Sequence, residues 1–298
     1  MFAPRLDLNG RELVLDRTRI AGIVNVTPDS FSDGGRFASV DAAVAHGLAL
    51  VDDGADLLDV GGESTRPGAG EVAAADEIAR VVPVVEALAK RTTVPISIDT
   101  SKAEVMRAAV AAGAGLVNDV RALRGDGALD AVAALGVSVC LMHMLGEPRT
   151  MQDAPHYDDV VADVHRFLAE RLFACQMAGI DKKNLLVDPG FGFGKTLEHN
   201  LALLRALERF AELAPVMVGL SRKSMIGTLT GRERPAERAV GSAAAALIAA
   251  QRGAAIVRVH DVAATRDALA VWHALAQADA PPARRAPAAK PSALWDDD

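Results

Sequence analysis

Residues Gly22–Arg36 read GIVNVTPDSFSDGGR, and the alternation along the rest of the chain repeats their plan. This stretch contains most of an apolar run, Ile20–Val26, of the kind that forms a buried strand, and it then becomes a loop rich in Asp, Ser and Gly. Such a strand would deliver the polar side chain of Asn25 to its own carboxyl end. Because the same plan recurs along the chain, the stretch predicts an α/β fold.

Seven further apolar runs follow, and segments with apolar residues at helical spacing alternate with them. The predicted strands are Ile20–Val26, Leu57–Val60, Val94–Asp99, Gly115–Asn118, Val137–Met142, Leu185–Asp188, Val216–Leu220 and Ala255–Val259. Short apolar strands that alternate with helices indicate a parallel sheet covered on both faces, and eight strands close a barrel. We therefore predict a single (β/α)8 TIM barrel, with an open, doubly wound sheet as the alternative.

The helical spacing also gives the bounds of the predicted helices. They are Val40–Val51, Glu71–Lys90, a helix that ends at Gly113, Ala128–Leu135, Asp158–Gly179, Leu197–Phe210, Glu237–Arg252 and Val262–Ala276. Ser101 and Glu104 have the spacing of a capping box, which predicts the start of the helix that ends at Gly113.

Two segments lie outside the predicted barrel. Arg5–Leu15 alternates apolar and polar residues around Asn9 and Gly10, which is a hairpin signal. We expect this hairpin, within residues 1–17, to plug one end of a barrel that spans residues 18–278. Residues 279–298 are rich in Pro, Ala and Asp, a composition that predicts a disordered tail.

Composition limits the class of protein. The chain has 298 residues, 50% of them hydrophobic, and a formal net charge of −7, so nucleic acid is not an expected partner. The sequence has neither an apolar run long enough to span a membrane nor a signal-peptide profile at its start, so we expect a cytoplasmic protein without a membrane partner. The two cysteines, Cys140 and Cys175, are predicted to be buried thiols.

Polar side chains fall at or just beyond the ends of the eight predicted strands. They are Asn25, Asp59, Asp99, Asn118, His143, Asp188, Lys223, and Arg258 with His260. A lone Asp or Asn at such a position also suits a turn or a helix N-cap. In a barrel, however, all the carboxyl ends meet at one mouth, and a ligand would satisfy the hydrogen bonds of so many polar groups.

These residues divide by their chemistry. Asp99, Asn118 and Asp188 suit a flat heterocycle whose edge carries N–H and NH₂ donors, such as a 2-amino-4-oxo pteridine or guanine. Arg258 and Asn25, together with His260, suit a phosphate or diphosphate, since guanidinium binds it bidentately and an amide oxygen can hold a hard cation. One end of the predicted ligand is a heterocycle and the other is an anion.

Blocks of sequence across nearly the whole chain resemble the signature blocks of the dihydropteroate synthase family. The blocks are NVTPDSFSDGG (25–35), LLDVGGESTRPG (57–68), ISIDTSK (96–102), VND (117–119), DPGFGFGK (188–195), GLSRKSMIG (219–227) and RVHDV (258–262). The resemblance implies a (β/α)8 transferase of folate biosynthesis. Its reaction condenses 6-hydroxymethyl-7,8-dihydropterin diphosphate with 4-aminobenzoate to give 7,8-dihydropteroate and diphosphate.

The resemblance also implies roles for individual residues. The implied pterin-binding residues are Asp99, Asn118, Met142, Asp188 and Lys223. The implied aminobenzoate-binding residues are Thr65, Arg66, Pro67, Phe193 and Ser224, with Phe31 closing the pocket. The implied diphosphate-binding residues are Asn25, Arg258 and His260, and Asn25 is the implied Mg²⁺ ligand. The implied catalytic residues are Asp99, Lys223 and Arg258. Core filling is the alternative for Met142, and orienting a loop is the alternative for Asp59.

The family resemblance implies two further properties, a homodimer packed through helices near the C-terminus and inhibition by sulfonamides. Two other functions stay open. A pterin-dependent methyltransferase-like barrel would not need the STRPG sequence or the pair Arg258 and His260, and a non-catalytic pterin-binding protein would not need Lys223 or Arg258. All of these residues are present. We also expect an SN1-like step, because the electron-rich dihydropterin ring can delocalise a cation.

Overall fold

The computed structural model describes residues 3–26, 35–64, 70, 72–147 and 150–278. The hairpin is present as predicted, with antiparallel strands β1 (Arg5–Asp7) and β2 (Glu12–Val14). Asn9 and Gly10 take φ angles of 59° and 79°, in the left-handed region that a two-residue hairpin turn needs. The sequence signal was therefore sufficient to place the turn.

The hairpin closes the amino end of the barrel. Leu6, Leu8 and Leu13 form one buried cluster with residues of the barrel strands, namely Ala21, Leu57, Leu116, Cys140, Leu186, Met217 and Ile256. Gly115 makes this approach possible, because a Cβ atom at that position would lie 2.1 Å from the backbone carbon of Leu8. The hairpin thus packs against the first residues of the barrel strands.

The remaining strands form one closed barrel of parallel strands, so the open-sheet alternative is wrong. They are β3 (Arg19–Asn25), β4 (Leu57–Gly61), β5 (Ile96–Asp99), β6 (Leu116–Asp119), β7 (Ser138–Met142), β8 (Leu185–Asp188), β9 (Val216–Val218) and β10 (Ala254–Val259). Residues of β4, β6, β7 and β8 are buried at every position, as expected for strands covered on both faces.

The helices cover the outside of this barrel. They are α1 (Gly35–Asp52), α2 (Ala74–Arg91), α3 (Ala103–Ala111), α4 (Ala128–Leu135), α5 (Val160–Met177), α6 (Leu197–Arg205), α7 (Glu208–Ala211), α8 (Ser224–Thr230), α9 (Ala239–Gln251) and α10 (Val262–Ala278). Apolar side chains from helices and strands share one large buried cluster. Among the described helices, none is long and apolar enough to cross a membrane.

The structure corrects the helix predictions in three places. The predicted capping box is wrong: Lys102 is the N-cap of α3, and the hydroxyl of Thr100 accepts the hydrogen bond from the Lys102 amide at 3.3 Å. The predicted helix Leu197–Phe210 is two helices, α6 and α7. Helix α8 was not predicted, because its seven residues are too short for a periodic signal. Both cysteines are free and buried, as predicted.

The strand register sets the level of the candidate site. Asp99 lies beside Gly61 on one neighbouring strand and beside Asn118 on the other, and Gly61 in turn lies beside Asn25. Polar strand ends from β3, β5 and β6 therefore meet at one level of the barrel. The domain bounds at residues 17/18 and 278/279 remain a prediction, since the predicted tail lies outside the described residues.

Candidate active site

A partly buried cluster of hydrogen-bonded charged and polar residues, centred on Arg258, joins four neighbouring strands of the barrel. Arg258, from β10, donates through Nε to Oδ2 of Asp59 on β4 and through Nη2 to Oδ2 of Asp99 on β5, the latter at 2.7 Å. Asn118, from β6, donates to the same Asp59 oxygen at 3.2 Å. Four of the polar strand ends that the sequence indicated are thus linked by direct hydrogen bonds.

Asp59 is the residue in this cluster whose role the sequence left most uncertain. The contacts show that its carboxylate holds Arg258 and Asn118. Its other oxygen, Oδ1, is buried and has no hydrogen-bond partner among the residues that the structure describes. Burying a carboxylate in this way is costly unless it pairs with a cation, and the guanidinium of Arg258 supplies that pairing.

Electrostatics within the cluster perturb both partners of the second ion pair. Burial raises the pKa of Asp99 to about 7; the positive charge of Arg258 opposes this shift and the negative charge of Asp59 adds to it. Burial would lower the pKa of Arg258, but the carboxylates of Asp59 and Asp99 outweigh burial and raise it. Perturbed groups of this kind, gathered at a barrel mouth, are typical of functional sites.

Asp188 and Lys223 complete the group of charged residues. The Oδ1 atom of Asp188, at the end of β8, accepts a hydrogen bond from the Gly190 amide at 2.7 Å. Burial lowers the pKa of Lys223 to about 8, with the charge of Asp188 opposing the shift and that of Arg258 adding to it. Asp188 and Lys223 therefore lie close enough to Arg258 to interact with it electrostatically.

Two apolar side chains lie beside these charges. The Nζ atom of Lys223 lies 4.2 Å from the centroid of the Phe193 ring and donates to the Phe191 carbonyl. Phe193 packs against a small buried cluster that contains Met142, together with Val120, Met144 and Met151. Met142 therefore fills a core and also lies next to the predicted site, so its two interpretations are compatible.

Two contacts join the segments that follow β9 and β10. Ser221 and His260 share a hydrogen bond of 3.0 Å between Oγ and Nδ1. Arg222 binds Asp261 through two hydrogen bonds, of 2.9 and 2.6 Å. Arg222 also has a φ of 59°, so this pairing holds a strained backbone just before Lys223.

The other predicted site residues fall into two groups. Asn25 ends β3 at the level of Gly61, and Ser224 begins α8, directly after Lys223. Phe31, Thr65, Arg66 and Pro67 lie outside the described residues, so their predicted roles stay predictions. Thus no contact tests the aminobenzoate pocket as a whole.

Sequence reasoning missed one residue next to this site. Lys195 is 3% exposed and donates to Nδ1 of His143 at 3.0 Å and to the Gly190 carbonyl at 2.8 Å. The repeated glycines of DPGFGFGK could have indicated Lys195. A glycine-rich segment that turns sharply needs hydrogen-bond donors for its backbone carbonyl groups.

Comparison with known proteins identifies the family of this chain. Residues 21–260 match the family model described as pterin binding enzyme. The dihydropteroate synthase of Escherichia coli K12 is 53% identical over 271 residues, which cover 91% of this chain and 96% of that protein. The Haemophilus influenzae dihydropteroate synthase is 52% identical, with 92% of this chain and all of that protein covered.

Solved structures give the same result. The structure of Xanthomonas albilineans dihydropteroate synthase with 4-aminobenzoic acid has a TM-score of 0.89 and 64% identity, and it covers 94% of this chain and 100% of that one. The complex of that enzyme with 7,8-dihydropteroate has a TM-score of 0.85 and 61% identity, covering 93% and 100% of the two chains. A Yersinia pestis dihydropteroate synthase with a sulfonamide drug has a TM-score of 0.87 and 50% identity, covering 92% and 99%. The chain therefore belongs to the pterin-binding enzyme family and, within it, to the dihydropteroate synthases.

Proposed function

We propose that this chain is a transferase of folate biosynthesis that condenses 6-hydroxymethyl-7,8-dihydropterin diphosphate with 4-aminobenzoate. The products are 7,8-dihydropteroate and diphosphate. The observation that carries the proposal is the cluster centred on Arg258, in which one partly buried guanidinium binds both Asp59 and Asp99 beside Asp188 and Lys223. Such a cluster offers hydrogen-bond acceptors for a heterocycle and cations for an anionic leaving group within one barrel mouth.

The pterin end would be held by Asp99, Asn118, Asp188 and Lys223. Carboxylates accept from the N–H and NH₂ groups of the pterin edge, while the ammonium of Lys223 donates to the ring carbonyl and a ring nitrogen. The Gly190 amide fixes one oxygen of Asp188, so this acceptor is preorganised. Met142 would pack against the flat ring.

The diphosphate end would be held by Asn25, Arg258 and His260. The Ser221 hydroxyl lies within hydrogen-bonding distance of both the His260 ring and the His260 amide, which fixes the position of this residue. Guanidinium binds phosphate oxygens bidentately, and its binding strengthens as charge moves onto the leaving group.

Mg²⁺ is the proposed cofactor, and the donor set fits it. Mg²⁺ in phosphate-transfer sites takes one or two protein oxygens and completes its shell with substrate phosphates and water. Asn25 offers one such amide oxygen, and no group of three or more His, Cys, Asp or Glu residues able to hold a metal occurs among the described residues. When bound, the ion would neutralise charge on the departing diphosphate.

Aminobenzoate would bind through Thr65, Arg66, Pro67, Phe193 and Ser224. Phe193 supports this proposal through its contact with Lys223, which places an aromatic face beside the proposed pterin site. The same pocket would bind sulfonamides, because they resemble aminobenzoate in shape and charge.

The proposed reaction is dissociative. The C–O bond between the pterin methylene and diphosphate breaks, and the electron pair leaves with diphosphate. The neutral amine of aminobenzoate then forms the new C–N bond and loses one proton. The carboxylate of Asp99 would stabilise positive charge on the pterin ring. The residues of this chain would then bind the substrates and stabilise charge. Replacing Asp99 with Asn tests that role, and an unchanged kcat would refute it.

One assay distinguishes the proposed function from both alternatives. The chain is incubated with both substrates and Mg²⁺, and released diphosphate is measured. Release that depends on aminobenzoate supports the proposed function. A methyltransferase-like barrel or a non-catalytic pterin-binding protein would release none.

We also propose a homodimer packed through α9 and α10. Large apolar side chains on these helices are exposed, among them Val240 at 83% and Val271 at 67%. An apolar surface of this kind on neighbouring helices favours association. Light scattering would test it: Val271→Asp should convert a dimer into a monomer, and a monomeric wild type would refute it. The location that we propose is the cytoplasm, where the free thiols of Cys140 and Cys175 would stay reduced.

A further inference from the structure

The segment Gly190–Lys195, which follows β8, is held in place by side chains. Each of its six carbonyl groups accepts a side-chain hydrogen bond. The donors to residues 190 through 195, in order, are Lys195, Lys223, Gln152, Lys195, Tyr157 and Asn200. Because backbone groups need such partners when buried, the conformation of this segment depends on these donors.

Lys195 is the central donor. Its Nζ atom lies 3.0 Å from Nδ1 of His143, 2.8 Å from the Gly190 carbonyl oxygen and 3.0 Å from that of Phe193. The His143 carbonyl oxygen, at 3.4 Å, is a fourth acceptor, so acceptors surround the amine. The Lys195 side chain is 3% exposed. Burying its amine costs free energy, and its hydrogen bonds to the segment offset that cost.

The backbone is shaped to surround this amine. Gly190 and Gly194 have φ angles of 71° and 63°, which other residues adopt only with strain. A Cβ atom at Gly190 would also lie 1.9 Å from the His143 carbonyl oxygen. The segment therefore bends tightly around Lys195 while resting against β7 and the residues that follow it.

Two ends of the proposed active site depend on this segment. The Gly190 amide binds Asp188 at 2.7 Å. The Phe193 ring lies 4.2 Å from the Nζ atom of Lys223, which also donates to the Phe191 carbonyl. Because Asp188 also holds the Gly190 end of the segment, loss of Lys195 should displace Phe193 more than Gly190.

We propose that Lys195 is a positioning residue that holds Phe193 for aminobenzoate, acting through the carbonyl groups of Gly190 and Phe193. The proposal deepens the function proposed above and rests on it. Lys195 itself need not touch either substrate. A merely structural role would lower stability without distinguishing the two substrates.

The main test compares Lys195→Met with Lys182→Met, since Lys182 is an exposed lysine near the amino end of β8. In Lys195→Met, KM for aminobenzoate should rise about tenfold or more, while KM for the pterin diphosphate changes less than about threefold. The control should match the wild type in both. Equal changes in the two KM values, or none, would overturn the proposal.

A double-mutant cycle tests the route of the effect. If Lys195 acts through Phe193, the variant Lys195→Met with Phe193→Ala should have the same aminobenzoate KM as Phe193→Ala alone. Multiplied effects of the two substitutions would overturn the proposal.

Hydrogen exchange gives a readout that is independent of turnover. Amide exchange within residues 190–195 should accelerate at least about tenfold in Lys195→Met, and exchange in β4–β6 should stay unchanged. Unchanged exchange in that segment would overturn the proposal, whereas an inactive wild type with the expected exchange would refute only the proposed function. If Lys195→Met does not fold, Lys195→Arg, which keeps a cation but moves the donors away from the Gly190 and Phe193 carbonyls, is judged by the same two readouts.

Discussion

Arg258 and Asp99 lie 159 residues apart in the chain and are joined by a hydrogen bond of 2.7 Å between Nη2 and Oδ2. The first residue belongs to the proposed diphosphate end of the site and the second to the pterin end. Because both sit on ends of barrel strands, the distance between these two groups is set by the fold. This ion pair would couple binding of the heterocycle to stabilisation of the leaving group.

Asp59 should be as important as the residues that contact substrate. Asp59→Asn removes the charge that holds Arg258, and we expect kcat/KM to fall by about 10- to 100-fold. Diphosphate release measures the effect.

The matched control for that prediction is Asp56→Asn. Asp56 binds Arg17 and Arg19 near the amino end of the barrel, so it is also a carboxylate paired with arginines. This variant should keep wild-type activity at a temperature where it is folded. Equal losses of kcat/KM in the two variants would mean that Asp59 contributes only to the stability of the fold.

The pH dependence of kcat/KM should be bell-shaped. Asp99, with a pKa raised to about 7, must be ionised to accept from the pterin, so activity should rise as pH increases through about 7. Lys223, with a pKa lowered to about 8, must be protonated to donate, so activity should fall above about 8. A flat profile between pH 6 and 9 would contradict these assignments.

Lys223→Arg provides the check on the basic limb. A guanidinium stays protonated throughout this range, so the fall above pH 8 should disappear in the activity that the variant retains. Persistence of that limb would assign it to another group.

Eight strands could be predicted from the sequence because each is a short apolar run bounded by Gly, Pro or polar residues. Closure into a barrel followed from their number and alternation. The capping box near Ser101 failed for a local reason, since the Thr100 hydroxyl takes the amide of Lys102 instead. Pattern alone cannot decide between neighbouring hydroxyl groups.

The candidate site was predictable as a set of polar strand ends, but its internal pairing was not. Asp59 and Arg258 are 199 residues apart, and no local pattern connects them. The role of Lys195 was hidden for a similar reason: its partners include His143, 52 residues earlier, and backbone carbonyl groups. Such contacts depend on tertiary packing, which only the structure gives.

Removing Mg²⁺ should lower turnover. With excess chelator, we expect diphosphate release to fall by about 100-fold or more, because the leaving group then carries unneutralised charge. Asn25→Ala should raise the Mg²⁺ concentration needed for half-maximal activity.

Asn184→Ala, a substitution at the other end of the barrel, is the control for the metal prediction. It should have the Mg²⁺ dependence of the wild type. If Asn25→Ala behaves like this control, Asn25 is not the metal ligand.

Asp119 should matter for stability. Its carboxylate accepts from the amides of Arg121 and Leu123 at 2.8 and 2.7 Å, and it supports the left-handed backbone of Ala122 and Leu123. Asp119→Ala should lower the free energy of unfolding by about 2–3 kcal/mol, because both amides lose their partner. Urea denaturation measures this, and the exposed Asp126→Ala should change it by less than about 0.5 kcal/mol. Similar values for the two variants would refute the role of Asp119.

One barrel mouth should bind the heterocycle and the anion at the same time. A crystal structure of this protein with a non-hydrolysable pterin diphosphate analogue would show both ends of the ligand in place. We predict that the pterin edge contacts Asp99, Asn118, Asp188 and Lys223 while the diphosphate contacts Arg258 and His260. A pterin ring bound away from Asp188 and Lys223, or a diphosphate that does not reach Arg258, would refute binding of both ends at this mouth.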